Sequence, residues 1–155
     1  MEPRINYQQA APGALAAMFG LERYVRESGL EHSLLHLLKL RASQINGCAY
    51  CVDMHSKDAR ALGEDEQRLH LLTVWREAPV FSERERAALE WVEAVTRLGE
   101  HGIPDALFEA TRAHFSEKEM VDLTMTAVAI NGWNRLSIAF RPPVGDYQPA
   151  AHAAA

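Results

Sequence analysis

Three residues bring chemistry to this sequence: Cys48, Cys51 and His55, in the run Cys48-Ala49-Tyr50-Cys51-Val52-Asp53-Met54-His55. Residues three apart share a helix face with Cβ atoms about 5–6 Å from each other. A disulfide needs a Cβ separation of roughly 3.5–4.5 Å, so a small adjustment in a first helical turn closes it. His55, four residues after Cys51, projects from the same face. Thiolates react where thiols do not, and a free cysteine is only a few per cent thiolate at neutral pH. Lowering a cysteine pKa from about 8.5 to about 6 requires roughly 3.4 kcal/mol of preferential stabilisation. A helix starting after Gly47 offers its N-terminal dipole, which favours Cys48. His55 offers a base, which favours Cys51. A positioned base also removes the proton, so attack is assigned to Cys51 and resolution to Cys48.

Other uses of these residues compete. Cys48, Cys51 and His55 can supply three zinc ligands, with His36 or His32 of the preceding segment as the fourth, although no second CxxC or close HxxxH is present. A buried CxxC can also be a pair of small hydrophobes. Covalent haem attachment fails, because Val52 rather than histidine follows Cys51. A redox dithiol without cofactor or resident metal is the reading carried forward. His70, His101, His114 and His152 sit in polar or boundary contexts and carry no role. Trp75, Trp91 and Trp133 read as core or interface anchors.

Composition narrows the setting. The 155 residues fit one domain, taken as 1–155, with a sizeable core. Sixteen Lys and Arg stand against 21 Asp and Glu, a net charge of −5. With no basic run, nucleic acid is not an expected partner. The apolar stretches are too short to cross a bilayer, and the first residues do not form a signal peptide. A cytoplasmic location is expected, and two cysteines three apart exclude a disulfide-stapled secreted scaffold.

Breakers and apolar spacing divide the chain into about seven helices, with no convincing strand. They are expected over 12–28, 31–46, 48–62, 65–76, 83–98, 104–113 and 117–140. Gly47 and Gly63 follow two of them. Ser82 with Glu85, and Ser116 with Glu119, form capping boxes that open two more. Leu34, Leu35, Leu38, Ala42 and Ile45 make one stripe. The helix over 117–140 is apolar around much of its circumference, which suits a core centre or, preferably, a subunit interface. The Ala-rich tail after Gln148 reads as loose.

The run Leu40-Arg41-Ala42-Ser43-Gln44-Ile45-Asn46-Gly47-Cys48-Ala49-Tyr50-Cys51-Val52-Asp53-Met54-His55 resembles the carboxymuconolactone decarboxylase superfamily, in particular its CxxC-bearing, alkylhydroperoxidase AhpD-like branch. Phe115-Ser116-Glu117-Lys118-Glu119 and Ile130-Asn131-Gly132-Trp133-Asn134-Arg135 are similar to that branch too. The resemblance implies an all-α bundle assembling into trimers or hexamers. It implies peroxide reduction by the cysteine pair, the second cysteine attacking, with electrons from a protein or small-molecule dithiol. It also implies a proton relay from a glutamate twelve residues before the first cysteine and a histidine just before the second. Those positions are His36 and Tyr50 here. His36 can still pass protons but brings no permanent negative charge, and Glu31 lies on a different face. The CxxC itself disfavours lactone decarboxylation.

The expected function is thiol-dependent reduction of hydroperoxides in antioxidant defence, with Cys51 attacking, Cys48 resolving and His55 activating. The alternative is a thiol–disulfide oxidoreductase or a redox-sensing oligomer with little peroxidase turnover.

Overall fold

Leucines at 34, 35, 37, 38 and 40 leave one segment apolar around most of its circumference, and such a helix is stable only when surrounded. In the computed structural model, which describes residues 2–149, this segment is α3 (His32–Asn46). It packs against α4 (Ala49–Ala61), α6 (Glu83–Thr96) and α8 (Glu117–Phe140). The chain enters through α1 (Tyr7–Ala10) and α2 (Pro12–Arg26). Between α4 and α6 come α5 (Glu66–Leu71) and a 3-10 turn (Leu72–Val74), and α7 (Asp105–Arg112) precedes α8. Burial on α3 is wider than the expected stripe: Lys39, Arg41 and Ser43 are buried with the leucines.

The all-helical class matches the sequence reading, and the described residues contain no strand. They also contain no helix long and apolar enough to cross a membrane. Among the described residues eight α-helices stand where punctuation predicts about seven. The extra one, α1, is a single turn whose N-cap Asn6 accepts a hydrogen bond from the Gln9 N–H, too short to show periodicity. Helix α5 stops at Leu71, short of residue 76, and α4 begins at Ala49 rather than Cys48. Helix α8 is central, touching α2, α3, α4, α6 and α7, and it leaves Val121, Val128 and Ile138 exposed. His152 and the end of the Ala-rich tail lie outside the described residues.

Both capping boxes form as expected. In the second, the Ser116 N–H and the Arg84 guanidinium hold the Glu119 carboxyl down to about 2 from 4.5. A depressed acid stabilises the fold above its unfolded pKa and loses that contribution as pH falls through the folded one. Glu119→Gln is therefore expected to lose about 0.5–1 kcal/mol at neutral pH, because glutamine keeps the box but not the charge. Urea titrations should show that difference vanishing as pH falls from 4.5 towards 2.

Two buried polar assemblies fix α3. On one side Glu93 of α6 accepts hydrogen bonds from Trp75 Nε1 at 2.9 Å, from Arg76 at 2.7 Å and from Arg41. On the other, Ser43 Oγ donates to the Lys39 carbonyl at 2.7 Å and accepts from Asn134 Nδ2 at 3.0 Å. Asn46 Nδ2 donates to Asn131 Oδ1 at 2.9 Å and to Asn134 Oδ1 at 2.8 Å. These amides lock the end of α3 to α8. Buried polar groups that are all paired in this way define one arrangement rather than several. Gly47 then closes α3 at φ 69°, a left-handed conformation that favours glycine, and the turn delivers Cys48.

Candidate active site

Cys48 is the N-cap of α4, in extended conformation just outside the helix. Its Sγ accepts the Cys51 N–H at 3.3 Å. Leaving the helix at this point supplies the small adjustment that i, i+3 spacing needs, and the two cysteines form a disulfide with Cα atoms 5.4 Å apart. Both are 1% exposed and rest on Ala42 of α3 and Ile130 of α8. The pair faces two cavities. Cys48 lines one of about 400 Å³ with Gly47, Tyr50, Ser137 and Arg141. Cys51 lines another of about 260 Å³ with His36, Tyr50, His55, Asp58 and Trp133.

The second cavity therefore gathers four of the five residues singled out in the sequence, and Tyr50 borders both cavities. His55 lies one turn beyond Cys51 and is only 5% exposed. Burial, then the positive charge of Lys39 and the nearness of His36, push its pKa well below the usual histidine value. His36 is lowered for the same first reason, with Lys39 adding to it. Both imidazoles are accordingly neutral at pH 7. Their rings lie 5.9 Å apart, tilted by 55°. His36 Nδ1 and both nitrogens of His55 are buried without a hydrogen-bond partner. Burial also raises the Tyr50 phenol, so it remains protonated.

Two carboxylates missed in the sequence reading border the same space. Asp58 stands three residues after His55 on α4, with Oδ2 3.8 Å from His55 Nδ1. Its Oδ1 accepts the Tyr147 hydroxyl at 2.7 Å, and Tyr147 is raised by burial and then by that bond. The segment carrying Tyr147 is strapped to α4. Lys57 Nζ donates to the Gly145 and Tyr147 carbonyls at 2.8 and 3.0 Å and pairs with Asp53 at 3.0 Å. Glu22 of α2 pairs with Lys39 and accepts Trp133 Nε1 at 3.2 Å. Asp58 was findable, because H-x-x-D puts both side chains on one helix face. Glu22 and Tyr147 arrive by tertiary packing and leave no local signal.

Other expectations separate cleanly. Glu31 is turned away and pairs with Arg84 at 3.1 Å. His70, His101 and His114 are exposed. Trp75 and Trp91 are buried anchors, while Trp133 lines the cavity, tilted against Phe19 at 5.4 Å. Cys48 and Cys51 are joined in the disulfide, so neither offers a free thiolate in this oxidised state. Tyr7 of the unforeseen α1 also reaches the cavity.

Comparison with known proteins places this geometry. The profile of the carboxymuconolactone decarboxylase family matches residues 11–94, more than half of the chain. The chain is 42% identical over 139 residues to the uncharacterized protein YdfG of Bacillus subtilis, covering 90% of this chain and 95% of that protein. The crystal structure of ATU0492 from Agrobacterium tumefaciens, described as a “protein of unknown function” and a “putative antioxidant defence protein AhpD”, is 53% identical. It superposes with a TM-score of 0.87 over 96% of this chain and 99% of that one. The debrominase Bmp8 shares the fold at 18% identity, with a TM-score of 0.80 over 90% of this chain and 75% of that one. The chain belongs to the carboxymuconolactone decarboxylase family, in its AhpD-like branch.

Proposed function

We propose that the protein reduces small organic hydroperoxides through the Cys48–Cys51 pair, taking electrons from an external dithiol, in antioxidant defence. The observation that carries the reading is Cys51 facing a cavity together with a neutral, unpartnered His55. His55 takes the Cys51 proton, directly or through a water. The thiolate attacks the peroxide, the O–O bond breaks, and the leaving alkoxide is protonated to an alcohol. Cys51 is then a sulfenic acid; Cys48 condenses with it, releasing water and forming the disulfide. An external dithiol reduces the disulfide by exchange and is itself oxidised.

His36, Tyr50 and Asp58 serve as proton-handling and orienting groups around that cycle. Tyr50 is a donor at neutral pH. Asp58 supplies the negative charge that the His36 position lacks, from α4 instead of α3. Leu15, Phe19, Met54 and Trp133 give the cavity apolar walls, suited to an alkyl or aryl hydroperoxide rather than hydrogen peroxide. The separate cavity at Cys48 supports access by the dithiol. A homo-oligomer of trimer or hexamer size is part of the proposal, supported by the exposed Val121, Val128 and Ile138 of α8; light scattering tests it.

The cysteine roles are tested by treating reduced Cys48→Ser with an organic hydroperoxide and a sulfenic-acid trap. The adduct is expected on Cys51. In Cys51→Ser no adduct should form; one on Cys48 would reverse the assignment. Fast exchange with dithiols but no peroxide reaction in the native pair would favour a thiol–disulfide oxidoreductase.

A further inference from the structure

The cavity beneath the disulfide contains more basic nitrogen than the redox chemistry uses. Three buried imidazole nitrogens, His36 Nδ1 and both of His55, have no partner, and leaving buried polar groups unpaired is unfavourable. Asp58 stands beside them with one oxygen committed to Tyr147 and the other, Oδ2, turned to His55. One ligand atom from each of His36, His55 and Asp58 lies within 4.8 Å of the other two. Ligand atoms about 2.0–2.2 Å from a shared cation are closer together than that limit, so a small inward shift of these side chains completes the site.

The donor set selects the ligand. Two neutral imidazoles and one carboxylate suit first-row divalent transition metals, whereas magnesium and calcium prefer oxygen ligands. The nearby charge is partly balanced, since Lys39, which opposes positive charge on both histidines, is itself engaged. Lys39 is paired with Glu22, and Asp58 has no lysine or arginine partner among the described residues. The Tyr147 bond to Asp58 Oδ1 is the kind of outer contact that orients a ligating carboxylate.

We propose that His36, His55 and Asp58 form a binding site for a divalent transition-metal cation of the zinc class, with a coordination position open to the cavity. The site needs neither thiol, which separates it from a cysteine zinc centre, and it does not rest on the peroxide reading.

The test uses the full chain in its disulfide form, stripped with chelator, then titrated with Zn²⁺ by calorimetry and Co²⁺ by visible absorption. One cation per chain is expected, with cobalt ligand-field bands and no thiolate charge-transfer band. Asp58→Asn and His36→Gln should each weaken binding about tenfold or more, and Tyr147→Phe should weaken it with all three ligands in place. The Cys48→Ser/Cys51→Ser double variant should bind as the native chain does. Absence of cobalt bands in the native protein would overturn the proposal, whatever the folding of the variants. So would affinity unchanged in Asp58→Asn and His36→Gln, or affinity lost in the double cysteine variant.

Discussion

Cys51→Ser is expected to lower hydroperoxide-dependent oxidation of an added dithiol by about three orders of magnitude or more, the scale on which loss of a covalent nucleophile acts. A serine hydroxyl in the same place is not ionised by a neutral imidazole to any useful extent, and oxygen is a poor nucleophile toward a peroxide bond. Cys48→Ser should behave differently: without added dithiol, one equivalent of peroxide is consumed per chain and consumption then stops, because no second thiol of the chain is left to condense with the sulfenic acid. The asymmetry follows from the two cavities. Cys51 shares its cavity with His36 and His55, while Cys48 faces the one bordered by Arg141. Following residual peroxide over a single turnover separates the variants. Equal consumption by both would sink the assignment of roles.

The largest stability effect is expected at Glu93, far from the cysteines in function but adjacent through α3. Its carboxylate is 4% exposed and gathers Arg41, Trp75 and Arg76. Burial alone would raise its pKa, but bonds from Trp75, Arg76 and Arg41 outweigh that and hold it below the usual range. Glu93→Ala leaves the buried Arg41 guanidinium with only the Gln44 amide oxygen at 3.4 Å and the Trp75 N–H without an acceptor, and removing one partner of a buried pair costs about 3–5 kcal/mol. Replacing both charges, as Arg41→Met with Glu93→Leu, should recover part of that loss, because the apolar pair leaves no orphaned buried charge and only the Trp75 N–H without its acceptor. Denaturant midpoints of the single and double variants measure the difference. A single variant as stable as the native chain would show that the pair does not anchor α3.

What was legible in the sequence was local. In the C-x-x-C-x-x-x-H run, helix geometry sets Cys51 and His55 one turn apart, and Cys48 joins them from the N-cap. The capping boxes at Ser82 and Ser116 join residues three apart, and Gly47 must supply the left-handed turn before Cys48. The amides of the Asn131–Asn134 stretch carried a family resemblance but no physical reading until the fold set them against Asn46 and Ser43. What stayed hidden was tertiary. Glu22 and Lys39 meet across two helices, Tyr147 comes from a segment without periodic structure, and Trp133 turns one edge to the cavity. Asp58 is the exception, a local neighbour of His55 that helix spacing alone sets on the same face.

In the proposed cycle His36 stands where the family resemblance implies a relay glutamate, which changes the electrostatics of the site. A neutral imidazole replaces a charge on α3, and Asp58 on α4 provides the negative group facing the same histidine. That exchange also gathers two imidazoles and a carboxylate in one cavity, which links the redox reading to the metal proposal.

The central claim is that this dithiol is oxidised directly by peroxide. The most direct measurement adds a slight excess of an organic hydroperoxide to the fully reduced chain and follows intact mass with time. Rapid loss of about 2 Da per chain is expected, with peroxide consumed in step, as the Cys48–Cys51 disulfide forms. A mass unchanged over many minutes, with both thiols free by titration, would contradict it.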